Sequence, residues 1–290
     1  MNDDGIITCP LATPYSIEIE EDSSSFTFIL SDLRNDYNEH SRSSLEQTEQ
    51  AIEWLAAFHA TFYNHPILQP DTSTSTSASE VVWAEGGYWH LKTRLDELQD
   101  IPSSQRMFQK SAYAIDERMN NAGSSSWHTL VHGDFKEANI LFGTEACAVV
   151  DFQYCGRGYG VKDLVMLIVS SVSSRVLGDL GEDGLLRVYC DALRKNLVAI
   201  GTCSQEDIDA IANFDGLKMQ YELALVDYVR FMAGWGMWGS NSGYAEDRAV
   251  GVLRDVGSAW SGNNGKKSLQ DLSEGDWKKA IYEKYPVALF

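Results

Sequence analysis

Apolar and polar residues alternate over Tyr15-Ser16-Ile17-Glu18-Ile19-Glu20, and Phe26-Thr27-Phe28-Ile29-Leu30 is aromatic and β-branched. Both runs predict strands, joined by a turn over Glu21–Ser25, with Gly5 and Pro10 upstream. The period then changes. Leu45, Ile52, Leu55, Ala56, His59 and Phe62 share one face of a helix predicted over 44–64, capped by Ser43 or Ser44 with Glu46 and Gln47 in its first turn. His59, among apolar neighbours, reads as a core histidine whose ring is hydrogen-bonded. Asp71–Glu80 is a Ser/Thr run with nothing to bury and predicts a surface loop. Trp83, Tyr88 and Trp89 read as packing residues. Helices follow through Arg94, Leu95 and Leu98, then over 103–121, 161–177, 184–198, 206–232 and 245–260. A polar loop over 262–274 and a short tail complete the pattern. Few strands followed by many helices predict an α+β fold with a mostly helical large lobe.

Composition narrows the class. At 44% apolar and 22% charged, the 290 residues match a globular protein with a sizeable core. No uninterrupted apolar run reaches the ~18 residues of a membrane helix, and the N-terminus lacks the basic start and apolar stretch of a secretory signal. The five cysteines are unevenly spaced and form no Cys-x-x-Cys pair, so they read as reduced thiols of a cytoplasmic protein. The net charge of −19 argues against a nucleic-acid partner. It mildly favours a cationic small molecule, although surplus acid also serves solubility alone.

The chemistry is concentrated in Val131-His132-Gly133-Asp134-Phe135-Lys136-Glu137-Ala138-Asn139-Ile140-Leu141-Phe142 and in Val149-Val150-Asp151-Phe152. An Asp, an Asn five positions on and a second Asp closing an apolar strand suit phosphoryl transfer. Asp134 can accept the proton of an attacking hydroxyl, while Asn139 and Asp151 are hard oxygen ligands for Mg²⁺ on the phosphates of ATP. Ile140–Phe142 and Cys147–Phe152 predict a hairpin that brings both ligands to one end. Gly133 permits a tight backbone path, and His132 supports the loop by hydrogen bonds.

His-Gly-Asp-x4-Asn followed by Val-Val-Asp-Phe-Gln resembles the aminoglycoside phosphotransferase and choline kinase family, in its choline-kinase-like or ecdysteroid-kinase-like branch. Gly158-Tyr159-Gly160-Val161-Lys162-Asp163-Leu164 continues the resemblance, which extends over about residues 10–260 with its specific motifs in 131–164. It implies a protein-kinase-like fold: a remnant of the N-lobe sheet and hinge over 1–33, then a mostly helical C-lobe over 34–290 with the catalytic loop at 131–142 and the metal strand at 147–152. It further implies ATP and Mg²⁺ as cofactors and a small-molecule alcohol as substrate, with choline, an aminoglycoside, a sterol and a sugar-like alcohol all open. Lys136, two positions after Asp134, can neutralise charge at the γ-phosphate, although the family does not fix a Lys there, and Asp163, at the start of the following helix, reads as a brace of the catalytic loop. Ser31, Asp32 and Leu33 fall where the family's hinge meets the adenine ring; the competing reading of this segment is an edge strand ending in an Asp turn. Tyr221, Glu222, Asp227, Trp235 and Trp238 are either an acceptor cage or helix-packing residues. A protein kinase fits less well, because His-Arg-Asp, Asp-Phe-Gly and Ala-Pro-Glu are all absent.

No glycine-rich loop precedes the hinge-like segment, and the first lysine of the sequence is Lys92. The lysine that holds the α- and β-phosphates in this fold therefore has no counterpart upstream. Three expectations compete: a truncated kinase, a short form without catalysis, and unconventional nucleotide binding. The first is preferred, and it predicts weak turnover by this polypeptide alone.

Overall fold

The computed structural model describes residues 9–20, 25–41, 43–63, 65–68, 82–120, 128–264 and 268–286. The Ser/Thr run Asp71–Glu80 and most of the turn after Glu20 lie outside them. Strands β1 (Pro14–Ile19) and β2 (Phe26–Leu30) pair antiparallel, with a register shift between Pro14 and Ser16. Tyr15, Ile17, Ile19, Phe26, Phe28 and Ile29 are all more than half exposed, so alternation made the ribbon without burying either face.

Helix α1 (Leu45–Thr61) starts where Ser44 accepts a hydrogen bond from Gln47 N–H. Its apolar face packs along α5 and beneath the loop that carries the sequence motif. Helices α2 (Leu95–Asp100) and α3 (Arg106–Asn120) follow. Three-residue strands then make two small antiparallel pairs: β3 (Thr129–Val131) with β6 (Gly156–Gly158), and β4 (Ile140–Phe142) with β5 (Cys147–Val149). Helix α4 (Val161–Ser170) is buried over nearly its whole length. The helices α5 (Ser174–Ile200), α6 (Gln205–Ile211), α7 (Phe214–Trp235), α8 (Ser242–Asn264) and α9 (Glu274–Lys284) follow, and of these α7 and α8 pack on α4.

Four boundaries depart from the sequence expectation. The 161–177 helix breaks after Ser170, because Ser173 caps a new helix by accepting from Val176 N–H. That helix then runs through 184–198 as part of one long element, kinked at Gly181 with φ 69°. The 206–232 helix divides at Asn213, whose side chain accepts from Gly216 N–H. The short tail is in fact α9, opened by a capping box between Ser273 and Asp276 and anchored by buried Trp277 and Ile281. No helix among the described residues is long and apolar enough to cross a membrane.

One buried histidine gives the fold a pH dependence. His128 Nε2 lies 3.0 Å from Met119 O, and its Nδ1 accepts from Arg157 Nε at 2.9 Å. Burial and the Arg157 charge push its pKa down to about 4. A base depressed on folding contributes stability above its unfolded pKa of 6.5 that is lost as pH falls towards 4. Asp116, pushed up to about 6 by burial and by neighbouring Asp227 and Glu85, slopes the opposite way over part of that range. The readout is therefore a difference. Between pH 7 and pH 4, denaturant unfolding of the wild type should lose on the order of 3 kcal/mol more than that of His128→Gln. Parallel pH profiles would remove His128 as the cause.

Candidate active site

Two short strand pairs hold the motif. β3 delivers His132, Gly133 and Asp134, and a 3-10 turn over Glu137–Asn139 leads into β4. After the hairpin, Val150 N–H donates to Asn139 O at 3.0 Å, which places Asp151 one residue beyond the end of β4–β5 that carries Asn139. Phe135 stacks on Trp54 at 5.7 Å, and Phe152 packs on Trp54 and Phe58. The α1 face thus forms an aromatic floor that fixes the loop from below.

Asp163 controls the backbone of that loop. Its carboxylate is wholly buried, accepting from His132 N–H at 2.6 Å and from Gly133 N–H at 2.9 Å. The ring of His59 lies 3.1 Å from the same carboxylate and 2.9 Å from Tyr189 Oη. Burial pushes the Asp163 pKa up, but the His59 hydrogen bond, the His59 and His132 rings and the Gly133 amide together hold it below the usual carboxylate value. His59 is thus the hydrogen-bonded core histidine that its neighbours in sequence predict. His132 Nε2 reaches Val150 O at 3.0 Å and ties the loop to the strand leading to Asp151. Gly133 has φ 83°, and a Cβ there would sit 2.3 Å from Tyr154 O and 2.7 Å from Gly87 N, so only glycine fits this crossing.

Asp134 is 3% exposed, yet its Oδ1 has no hydrogen-bond partner. Oδ2 accepts from Lys136 Nζ at 2.9 Å and from Asn139 Nδ2 at 3.1 Å. A buried carboxylate oxygen left without a protein donor is costly, and it is free to accept a hydrogen bond from a ligand or from water. The Asn139 amide also donates to Asp134 O at 2.8 Å, which turns its carbonyl oxygen away from that carboxylate and leaves it as the acceptor. Asp151 is exposed and holds φ 67°, a conformation that side-chain-bearing residues rarely adopt and that clusters at functional sites. An amide oxygen and an exposed carboxylate at one hairpin end are a donor set that suits Mg²⁺, with phosphate oxygens and water completing the shell.

The hinge-like segment lies apart from these groups in its bonding. Ser31 exchanges two hydrogen bonds with Thr13, accepting at Oγ at 2.8 Å and donating its N–H to Thr13 O at 2.9 Å. Asp32 caps the 3-10 turn Leu33–Asn35 and pairs with Arg34, which holds its pKa down at about 2. The chain then reaches the hairpin through Glu39 N–H to Phe142 O at 2.9 Å.

The suggested acceptor cage divides. Tyr221 is fully buried, Glu222 binds Arg248 and Tyr285, and Asp227 binds Arg230, so these three are interior residues of the helical bundle. Trp238 packs partly buried against the core, and Trp235 is 58% exposed. One segment beside the loop carries no chemical motif in the sequence. Glu85–Trp89 runs alongside it, with Tyr88 N–H donating to Gly133 O at 3.4 Å and Gly87 N–H to Tyr154 O at 3.1 Å. The Gly86-Gly87 pair was its signal. A Cβ on Gly86 would meet Val131 and Gly156 at under 3 Å, as expected where two backbones cross.

Comparison with known proteins places the chain. Among curated proteins none matches. Three solved structures are similar: choline kinase from Cryptosporidium parvum Iowa II (11% identity, TM-score 0.45, 81% of this chain and 70% of that one), a choline/ethanolamine kinase family protein from Mesorhizobium loti (13%, 0.41, 94% and 79%), and amicoumacin kinase hAmiN in complex with AMP-PNP, Ca²⁺ and Ami (13%, 0.43, 96% and 74%). The family model of the ecdysteroid kinase-like family matches residues 10–202, well over half of the 290. The chain belongs to the ecdysteroid kinase-like family, and its fold is α+β, mostly helical with small strand pairs.

Proposed function

We propose that this protein is built for ATP-dependent phosphoryl transfer to a hydroxyl of a small molecule. The observation that carries the reading is the unpartnered Oδ1 of buried Asp134, beside an Asn and an Asp brought to one hairpin end. Asp134 Oδ1 accepts the hydrogen of the substrate hydroxyl and aims its oxygen at the γ-phosphorus. Asn139 and Asp151 would hold Mg²⁺, which would supply charge neutralisation at the transferring phosphate. Lys136, paired with Asp134 at 2.9 Å, would meet the charge of the γ-phosphate. Asp163, through the His132 and Gly133 amides, keeps the loop in register for all of them. Residues 1–33 are proposed as the N-lobe portion with the hinge at Ser31–Leu33, and 34–290 as the C-lobe.

A second reading is a kinase-like protein that binds a small molecule or partner without transfer, in which Asp134 keeps its ion pair with Lys136 and its hydrogen bond from Asn139. Transfer of label from Mg²⁺-[γ-³²P]ATP to a panel of small alcohols separates the two. Labelled product that disappears in Asp134→Asn supports the enzyme. Saturable Mg²⁺-ATP binding with no transfer to any alcohol supports the second reading.

A further inference from the structure

Beside the candidate active site lies an aromatic box that already holds a cation. The Arg94 guanidinium sits over three rings, 5.8 Å from the centre of Tyr88, 5.5 Å from Phe231 and 5.4 Å from Trp235. Its position is fixed at both ends. Nε donates to Tyr88 O at 2.6 Å, and Nη1 lies 3.3 Å from Glu97 Oε1. Close approach of two helices puts it there: a Cβ on Gly234 of α7 would overlap the backbone of Glu97 in α2, so glycine at this point lets α2 rest on α7 and brings Arg94 across the rings one helical turn apart. Phe231 is fully buried and Trp235 mostly exposed, so the box has a closed inner wall and an open mouth.

The box adjoins the reacting groups. Tyr88 is the ring that borders the motif: its N–H donates to Gly133 O, its ring packs 5.5 Å from Tyr154, and the Asp134 charge, after burial, is the next cause that raises its pKa. Three aromatic faces around one positive charge are the arrangement that takes quaternary ammonium ligands. Here the charge comes from the protein itself, and a side chain tethered to the wall has an effective concentration that a free ammonium ligand does not match.

We propose that Arg94 is a specificity residue: it occupies the Tyr88–Phe231–Trp235 box as an internal cation, excludes quaternary ammonium alcohols from the acceptor site, and reserves that site for alcohols without a positive charge. This deepens the phosphotransferase reading and rests on it for the word acceptor, while occupancy of the box itself is testable without any turnover. It also weighs against a cationic acceptor, which net charge mildly favours. The acidic surplus does not make the acceptor cationic, because the ring cluster next to Asp134 already holds a cation.

The test is titration of the full chain with tetramethylammonium chloride, read by tryptophan fluorescence and by ligand-observed NMR, with sodium chloride at equal ionic strength as the blank. The wild type should show no saturable binding. Arg94→Ala should bind tetramethylammonium saturably. Arg94→Met, which keeps an apolar stem for packing, should gain binding in the same direction, and Arg94→Lys, which keeps a cation in the box, should not. Binding by the wild type as tight as by Arg94→Ala overturns the proposal. So does the absence of a gain in a variant whose far-ultraviolet spectrum and thermal midpoint match the wild type. If both neutral variants fail to fold, the wild-type and Arg94→Lys titrations still decide, since saturable binding by either sinks the idea. Mg²⁺-ATP titration of the same samples reads the kinase assignment separately: its failure, with the tetramethylammonium result intact, removes the acceptor and leaves the filled box.

Discussion

Asp163→Ala should unfold about 3–5 kcal/mol more easily than the wild type, the largest stability loss expected from any single change near the site. The reason is the count of buried groups left without a partner. The amides of His132 and Gly133 and the ring of His59 all spend a hydrogen bond on this one carboxylate. Alanine supplies no acceptor, water has no ready path to a wholly buried position, and each stranded donor costs about 1–3 kcal/mol. Asp163→Asn should recover little, because its amide turns a donor towards one of the same donors. Chemical denaturation measures the loss, and the thermal midpoint should fall by about 10 °C. A loss under about 1 kcal/mol would mean that the loop is held from elsewhere, chiefly by the Phe135 and Phe152 stack on α1.

Asp134→Asn should lower phosphoryl transfer by at least about 100-fold while leaving Mg²⁺-ATP affinity within a few-fold of wild type. The substitution keeps the shape of the side chain and removes its basicity. It also ends the 2.9 Å ion pair with Lys136, whose side chain is one-third exposed and readily rehydrated, so the folded state should lose only about 1 kcal/mol. This split between rate and binding is what a role in orienting the hydroxyl requires. A parallel loss of nucleotide affinity would instead place Asp134 at the phosphates, and undiminished transfer would remove it from the chemistry.

Local features of this fold were legible in the sequence, and long-range ones were not. Ser44 and the apolar face from Leu45 to Phe62 announced α1 because cap and period agree there. The β4–β5 hairpin was legible because two apolar runs flank a Gly-Thr-Glu turn, although β5 ends at Val149 rather than running on to Phe152. β6 was not, because Gly156-Arg157-Gly158 has no strand propensity of its own and becomes a strand only by pairing with β3. α9 was hidden by the polar stretch before it, although Ser273 and Asp276 spell a capping box.

The candidate site divides in the same way. Its residue types and spacing stand within one short segment and were read directly. The contacts that position them come from distant parts of the chain: Asp163 with His59, the Glu85–Trp89 segment against Gly133, and Arg94 in its ring box. No local pattern encodes those contacts. Glycines such as Gly133, the Gly86-Gly87 pair and Gly234 hinted where backbones would meet.

The central claim is that the Asn139–Asp151 hairpin end holds magnesium on a nucleotide. Calorimetric titration of the full chain with Mg²⁺-ATP, repeated with Asp151→Asn and with excess chelator, tests it most directly. The account predicts saturable binding by the wild type that weakens at least about tenfold in the variant and likewise without magnesium. Binding of equal strength in Asp151→Asn, or no saturable binding by the folded wild type, would contradict it.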